Sequence, residues 1–293
     1  MEEQKKNWYD RYYKLMLLPP VILFALCLVY LGFFYSAHGD FILKDSSLAG
    51  GSTITINEKI DYISLENSLK QKFEDVRVRE IKDLTTGESI AVIVDSSAQP
   101  DELKSEIEVV LGYSLNGENS SVEFTGSGLS QNFYKQLLKA IIFSFILMSV
   151  VIFFLFRTFI PSIAVIFAAL ADIIMAVAFV NFLGIRLSSA GIAAFLMLIG
   201  YSVDTDILLT TRVLKKSEGS VNERIYSSFK TGIFMTATGL LAVLPAFFLI
   251  TTLPDSFRQI FLILAIGLTG DIINTWLTNA SLLKWYADKK GIK

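Results

Sequence analysis

The sequence predicts a polytopic α-helical membrane protein: six transmembrane helices, with an extracytoplasmic α+β domain between helices one and two. Three observations carry this. Of the 293 residues 53% are hydrophobic and only 18% charged, against about 25% charged in a soluble domain. Mean hydropathy is +0.52. The charge is also unevenly placed, with most acids between Ala37 and Gln136. Such a composition excludes a disordered chain and speaks against one large soluble enzyme. A net charge of −2 and pI near 5.6 leave no basic footprint, so no nucleic-acid partner is expected. The single cysteine, Cys27, forms no internal disulfide.

A bilayer core needs about 20 mainly apolar residues per helix. Six stretches qualify: Leu15–Ser36, Leu137–Phe156, Ile160–Phe182, Leu187–Thr211, Thr231–Leu253 and Gln259–Leu283. The first is read as an uncleaved anchor, since its apolar run exceeds the roughly 7–15 residues of a signal core. Pro19 and Pro20, and Pro161 in the third span, suit first helical turns. Counting Lys and Arg in the short flanks, one side holds Lys5, Lys6, Arg11, Lys14, Arg157, Arg212, Lys215, Lys216, Arg224, Lys230, Lys284, Lys289, Lys290 and Lys293; the other holds Arg186 and Arg258. The positive-inside rule then makes both termini cytoplasmic. The expected order is a cytoplasmic segment 1–14, a first span 15–36, an extracytoplasmic domain 37–136, a five-helix bundle 137–283 and a cytoplasmic tail 284–293, in a cell membrane.

Within the outer block, period 2 and period 3.6 alternate. Gly51–Asn57 reads as a strand and Ser64–Glu74 as a helix with Leu65, Leu69 and Phe73 on one face. Val76–Lys82 alternates apolar and charged, as a strand with one wet face. Thr85–Glu88 supplies a turn to the strand Ser89–Val94. Pro100–Leu111 is a second helix and Ser121–Thr125 a last strand. The β-α-β-β-α-β order is that of a ferredoxin-like domain. The only histidine, His38, precedes the block and is expected to be solvated, and no metal-ligand spacing or phosphate loop is present. No cofactor and no catalysis are expected; a docking module is.

Charges inside spans cost about 2.5–3.5 kcal/mol each on the insertion scale and face a bundle interior or water path. Four qualify: Asp172, Asp204, Asp206 and Asp271. Each reads either as an ion-path group or as a hydrogen-bonded helix clamp. At 100° per residue, Asp204 and Asp206 point about 160° apart, so one of them faces a given pore. Gly200, four residues before Asp204, is expected to admit a neighbouring helix. Arg212 is the nearest base and marks the cytoplasmic end of the fourth span. Trp276, Trp285 and Tyr286 read as interfacial anchors.

Ile199–Val213 (IGYSVDTDILLTTRV), with Gly200, Tyr201 and Ser202 at its head, resembles the fourth-span signature of the SecF branch of the SecD/SecF protein-export family. Ala49–Ile54 (AGGSTI), containing Gly50 and Gly51, resembles the motif after the first span in that family. Leu170–Met175 (LADIIM), Phe156-Arg157 and Asp271–Trp276 (DIINTW) are similar to it as well. Bacterial members carry Asn-Asp-Thr where this chain has Asp204-Thr205-Asp206. The chain has the archaeal form, with Thr205 at the bacterial aspartate and Arg212 at the family's arginine. The resemblance implies an accessory subunit acting with SecD and the Sec translocon channel on the exported polypeptide, late in export, with proton coupling through the intramembrane acids. The rival readings are a half-transporter of the resistance-nodulation-division type for small or lipid substrates, and an intramembrane aspartyl protease. The latter lacks its Gly-x-Gly-Asp pattern, since Gly267-Leu268-Thr269-Gly270-Asp271 is one residue too long.

Overall fold

A computed structural model describes residues 8–82, 88–215, 219–249 and 255–292. The expected turn at Thr85–Glu88 falls mostly outside them. The elements are α1 (Trp8–Met16), α2 (Leu18–His38), α3 (Ser46–Ala49), β1 (Gly51–Ile56), α4 (Tyr62–Leu69), β2 (Arg77–Lys82), β3 (Ser89–Ser96), α5 (Pro100–Leu111), β4 (Ser120–Thr125), α6 (Ser127–Phe156), α7 (Phe159–Phe182), α8 (Ser189–Lys215), α9 (Val221–Leu249), α10 (Asp255–Ile273), a π-helical turn (Asn274–Asn279) and α11 (Ala280–Lys290). Among the described residues, six helical segments are long and apolar enough to cross a membrane.

The spans differ in burial. In their most apolar windows 56% of α7, α8 and the α10–α11 segment is buried, against 6–17% for the segments containing α2, α6 and α9. Small residues make the inner layer possible. Ala168, Ala169, Ala171, Gly191 and Ala194 are all buried. A Cβ added at Gly267 would lie 2.3 Å from Leu198 Cδ1, so α8 and α10 meet only because that side chain is absent. Trp276 is buried rather than interfacial. Its ring lies over Gly232, where a Cβ would sit 2.3 Å from the indole, and edge-on to Phe229. A tryptophan near a span end predicts an interfacial anchor; the glycine opposite gives Trp276 a slot inside the bundle instead.

The outer domain is a four-stranded antiparallel sheet in the order β2-β3-β1-β4. Ile54, Ile56, Val78, Val92 and Val94 face α4 and α5, closing over Leu65, Leu69, Leu103 and Ile107. The first of these helices starts and ends earlier than its apolar spacing predicted. Asp61 caps it, accepting from the N–H groups of Ile63 and Ser64, and the chain leaves the helix after Leu69 while keeping Phe73 in the core. The opposite face of the sheet, carrying Arg77, Arg79 and Asp95, is turned toward the bundle. Arg77 donates to the Gly184 carbonyl at 3.4 Å and Arg186 to that of Asp75 at 3.3 Å.

The domain is tied down at its entry. Leu187 N–H donates to the Leu43 carbonyl at 2.7 Å, Asp45 N–H to Leu187 at 3.0 Å, and Asn181 Nδ2 to Phe41 at 2.6 Å. The Gly50-Gly51 pair turns α3 into β1 with φ of 87° and 139°. A Cβ at Gly50 would lie 2.5 Å from Ser127 Cα, and one at Gly51 2.3 Å from the Ser96 carbonyl oxygen. Only glycine satisfies both the positive φ and the close approach. The motif thus seats the first strand against the foot of α6 and the end of β3.

Candidate functional site

Asp172 on α7, Asp206 on α8 and Asp271 on α10 are fully buried in the inner layer. Each comes from one of the three packed spans, and hydroxyl and amide side chains join them. Ser202 donates to Asp172 Oδ2, and Asn274 Nδ2 to Asp172 Oδ1 at 2.6 Å. Thr205 Oγ1 lies 3.0 and 3.1 Å from the two oxygens of Asp271, and 2.9 Å from the Ser202 carbonyl. Thr275 Oγ1 lies 2.8 Å from Asp206 Oδ1 and 3.0 Å from Asp271 Oδ1. Asn279 Nδ2 reaches Asp206 Oδ1 at 2.6 Å. Thr236 of α9 closes the set at 3.5 Å from Asp271 Oδ2.

Counting donors shows what this arrangement can do. A threonine hydroxyl has one proton. Thr275 sits between two carboxyl oxygens and can donate to only one. The second contact is a hydrogen bond only if that carboxyl group carries its own proton. Thr205 repeats the argument, since a backbone carbonyl only accepts. The geometry therefore suits a network holding a proton among its acids. Among the described residues no Lys, Arg or His contacts any of the three carboxylates. Asp206 Oδ2 has no partner, although it is buried.

The π-helical turn follows directly. Asn274, Thr275 and Asn279, three of the network's donors, lie on it. π-Turns inside α-helices recur at functional sites. Asp271, Asn274, Thr275 and Asn279 fall at i, i+3, i+4 and i+8, a polar stripe on one helix face. Of this stripe only Asp271 is charged and so stands out in an apolar span.

The other fourth-span candidates separate cleanly. Ser202 and Thr205 are buried and in the network. Asp204 is exposed on the opposite face of α8, with Gly200 and Tyr201. Among the described residues no helix approaches Gly200: an added Cβ would meet nothing within 4 Å. Arg212 lies apart from the carboxylates. Its Nη1 donates to the Ser227 carbonyl at 2.8 Å and to Thr231 Oγ1 at 3.0 Å, tying α8 to α9. Gly50 and Gly51 belong to the domain junction described above.

Fold and site together define a class: a multi-pass membrane protein whose buried helices share a carboxylate–hydroxyl network, with a small α+β domain seated on one end of the bundle. Known proteins narrow it. The family model described as protein export membrane protein SecD/SecF, C-terminal, matches residues 108–289. Protein-export membrane protein SecF of Methanocaldococcus jannaschii is 38% identical over 281 residues, covering 94% of this chain and 95% of that protein. The SecF of Pyrococcus furiosus is also 38% identical, over 94% of this chain and 92% of its own. The crystal structure of SecDF, a translocon-associated membrane protein from Thermus thermophilus, superposes with a TM-score of 0.75 at 18% identity. It matches 95% of this chain, which spans 38% of that longer one. This chain belongs to the SecD/SecF family of protein-export membrane proteins.

Proposed function

We propose that this chain is the SecF-type half of a Sec protein-export unit, working with a SecD-type partner and the translocon channel on the exported polypeptide. Its buried acids take up and release a proton during the cycle, and the domain on the bundle's end lies outside the cell, with both termini cytoplasmic. The domain is of the ferredoxin-like kind and serves as a docking module. The observation that carries the reading is the single Thr275 hydroxyl shared by two buried carboxyl groups. A proton moving from one acid to the other rearranges hydrogen bonds on α8 and on the π-turn at once. Such coupled change in the packed spans is a physical route from proton movement to helix movement.

Asp204 supports the partner. A charge on a lipid-facing surface costs about 2.5–3.5 kcal/mol, so the face of α8 bearing Asp204, Tyr201 and Gly200 is best covered by protein. Gly200 leaves room for a helix to come close. The test is purification from native membranes together with deletion of the gene. The expected result is a stable complex with a SecD-type chain and slowed export of secreted proteins. A partner-free monomer with normal export on deletion would contradict it.

A further inference from the structure

A cavity of about 390 Å³ lies between the outer sheet and the domain-side ends of the spans. Its upper wall is the bundle-facing side of β2 and β3, and its lower wall is the α7–α8 connection with the start of α10. Four arginines line it, Arg77 and Arg79 from the sheet, Arg186 from the connection and Arg258 from α10, against two carboxylates, Asp45 and Asp95. Both carboxylates are already committed. Asp95 is ion-paired with Arg79 and accepts from Thr53 at 2.7 Å. Asp45 caps α3, accepting from the Ser47 N–H at 3.0 Å and its hydroxyl at 2.6 Å.

Among the described residues neither Arg77 nor Arg186 forms an ion pair, so both leave positive charge facing the space. Arg77 and Arg186 donate to backbone carbonyls, those of Gly184 and Asp75. They lie close enough to repel. Burial, with Arg186 and Arg79 beside it, lowers the Arg77 pKa from its ordinary value. Packing like charges into a half-buried wall is unfavourable unless an anion sits among them. Guanidinium groups match tetrahedral oxyanions with two parallel hydrogen bonds.

The remaining wall says which anion. Leu183, Ile185, Phe247 and Leu262 make it apolar, and they lie at the ends of membrane-crossing helices. Arg258 stacks over Phe247, 5.3 Å from the ring centroid. Arginines on both walls beside an apolar lining, at the domain-side ends of helices long enough to cross a membrane, suit a molecule with an anionic head and a greasy body. We propose that this cavity binds the phosphodiester headgroup of an anionic membrane lipid, with Arg77 and Arg186 as its principal ligands. The lipid would then sit between the domain and the bundle and fix their contact. The inference is independent of the export reading and of any proton movement.

The test uses the full chain in non-ionic detergent micelles. Phosphatidylglycerol, phosphatidylcholine of the same chains, inorganic phosphate and an acidic peptide are titrated separately, with bound mass read by native mass spectrometry. Saturable binding of phosphatidylglycerol is expected, with phosphatidylcholine weak. Arg77→Gln and Arg186→Gln should each weaken it about tenfold, the worth of one charge-assisted bond. Arg77→Lys should keep part of it, and Arg157→Gln all of it. Melting temperatures of the variants confirm that the fold is intact. Equal binding of both lipids, or unchanged affinity in both glutamine variants, would overturn the proposal. Inorganic phosphate or the acidic peptide binding as tightly as the lipid would overturn its lipid assignment.

Discussion

Replacing Asp206 tests whether the network is tuned to neutral groups. Its Oδ1 accepts from Asn279 at 2.6 Å and contacts Thr275 at 2.8 Å, inside a fully buried site. Asp206→Leu removes both contacts and strands the buried Asn279 amide, while Thr275 can still donate to Asp271 at 3.0 Å. Interhelical hydrogen bonds in membrane bundles are worth about 0.6 kcal/mol on average and up to about 1.7, and each stranded donor costs about 1–3 kcal/mol. The expected loss is about 2–4 kcal/mol, cavity and shape terms included. Asp206→Asn keeps the shape, an acceptor oxygen and neutrality, so its expected cost is below about 1 kcal/mol. The assay is unfolding of the purified chain by titration from mild detergent into SDS, followed by far-UV circular dichroism. If asparagine destabilises as much as leucine, Asp206 is held as a charge, which refutes its neutral form and puts the shared proton on Asp271. If leucine is silent, the network does not hold the helices together.

Other expectations follow from the same contacts. Gly267→Ala forces a methyl into Leu198 and should lower stability by about 1–3 kcal/mol in the same titration. Gly200→Ala meets nothing within 4 Å; the isolated chain should be unaffected, while recovery of a SecD-type partner in pull-downs should fall. Asp204→Asn, on the same exposed face, should leave unfolding unchanged and alter partner association. For pH, Asp75 is pushed up by burial but pulled below its ordinary value by the Ser97 N–H at 2.6 Å and the Ser96 hydroxyl at 3.1 Å. A depressed folded pKa adds stability above the unfolded carboxylate range, lost as pH falls through the folded value. Asp75→Asn should therefore flatten the acid limb of the unfolding curve; an unchanged limb would refute it.

The spans were legible because a bilayer demands long apolar runs, and the acids because nothing else in those runs is charged. The faces were harder. Period 3.6 separated Asp204 from Asp206, yet which one turned inward depended on α7 and α10 packing beside α8, information that one helix does not contain. Asn274, Thr275 and Asn279 carry no charge to mark them as part of a site; their alignment with Asp271 on one helix face is the available signal. Alternation over Val76–Lys82 predicts the strand found at Arg77–Lys82, but its polar face borders the arginine cavity and the bundle. Alternation marks a polar side without telling what meets it.

The most direct measurement is the export rate of a secreted reporter in cells carrying Asp206→Asn at wild-type membrane levels and with the SecD-type partner bound. The expected outcome is a folded, assembled complex whose export falls to the level of the gene deletion, because the amide cannot take up or release the proton. Export at the wild-type rate would return the carboxylate network to a purely structural role.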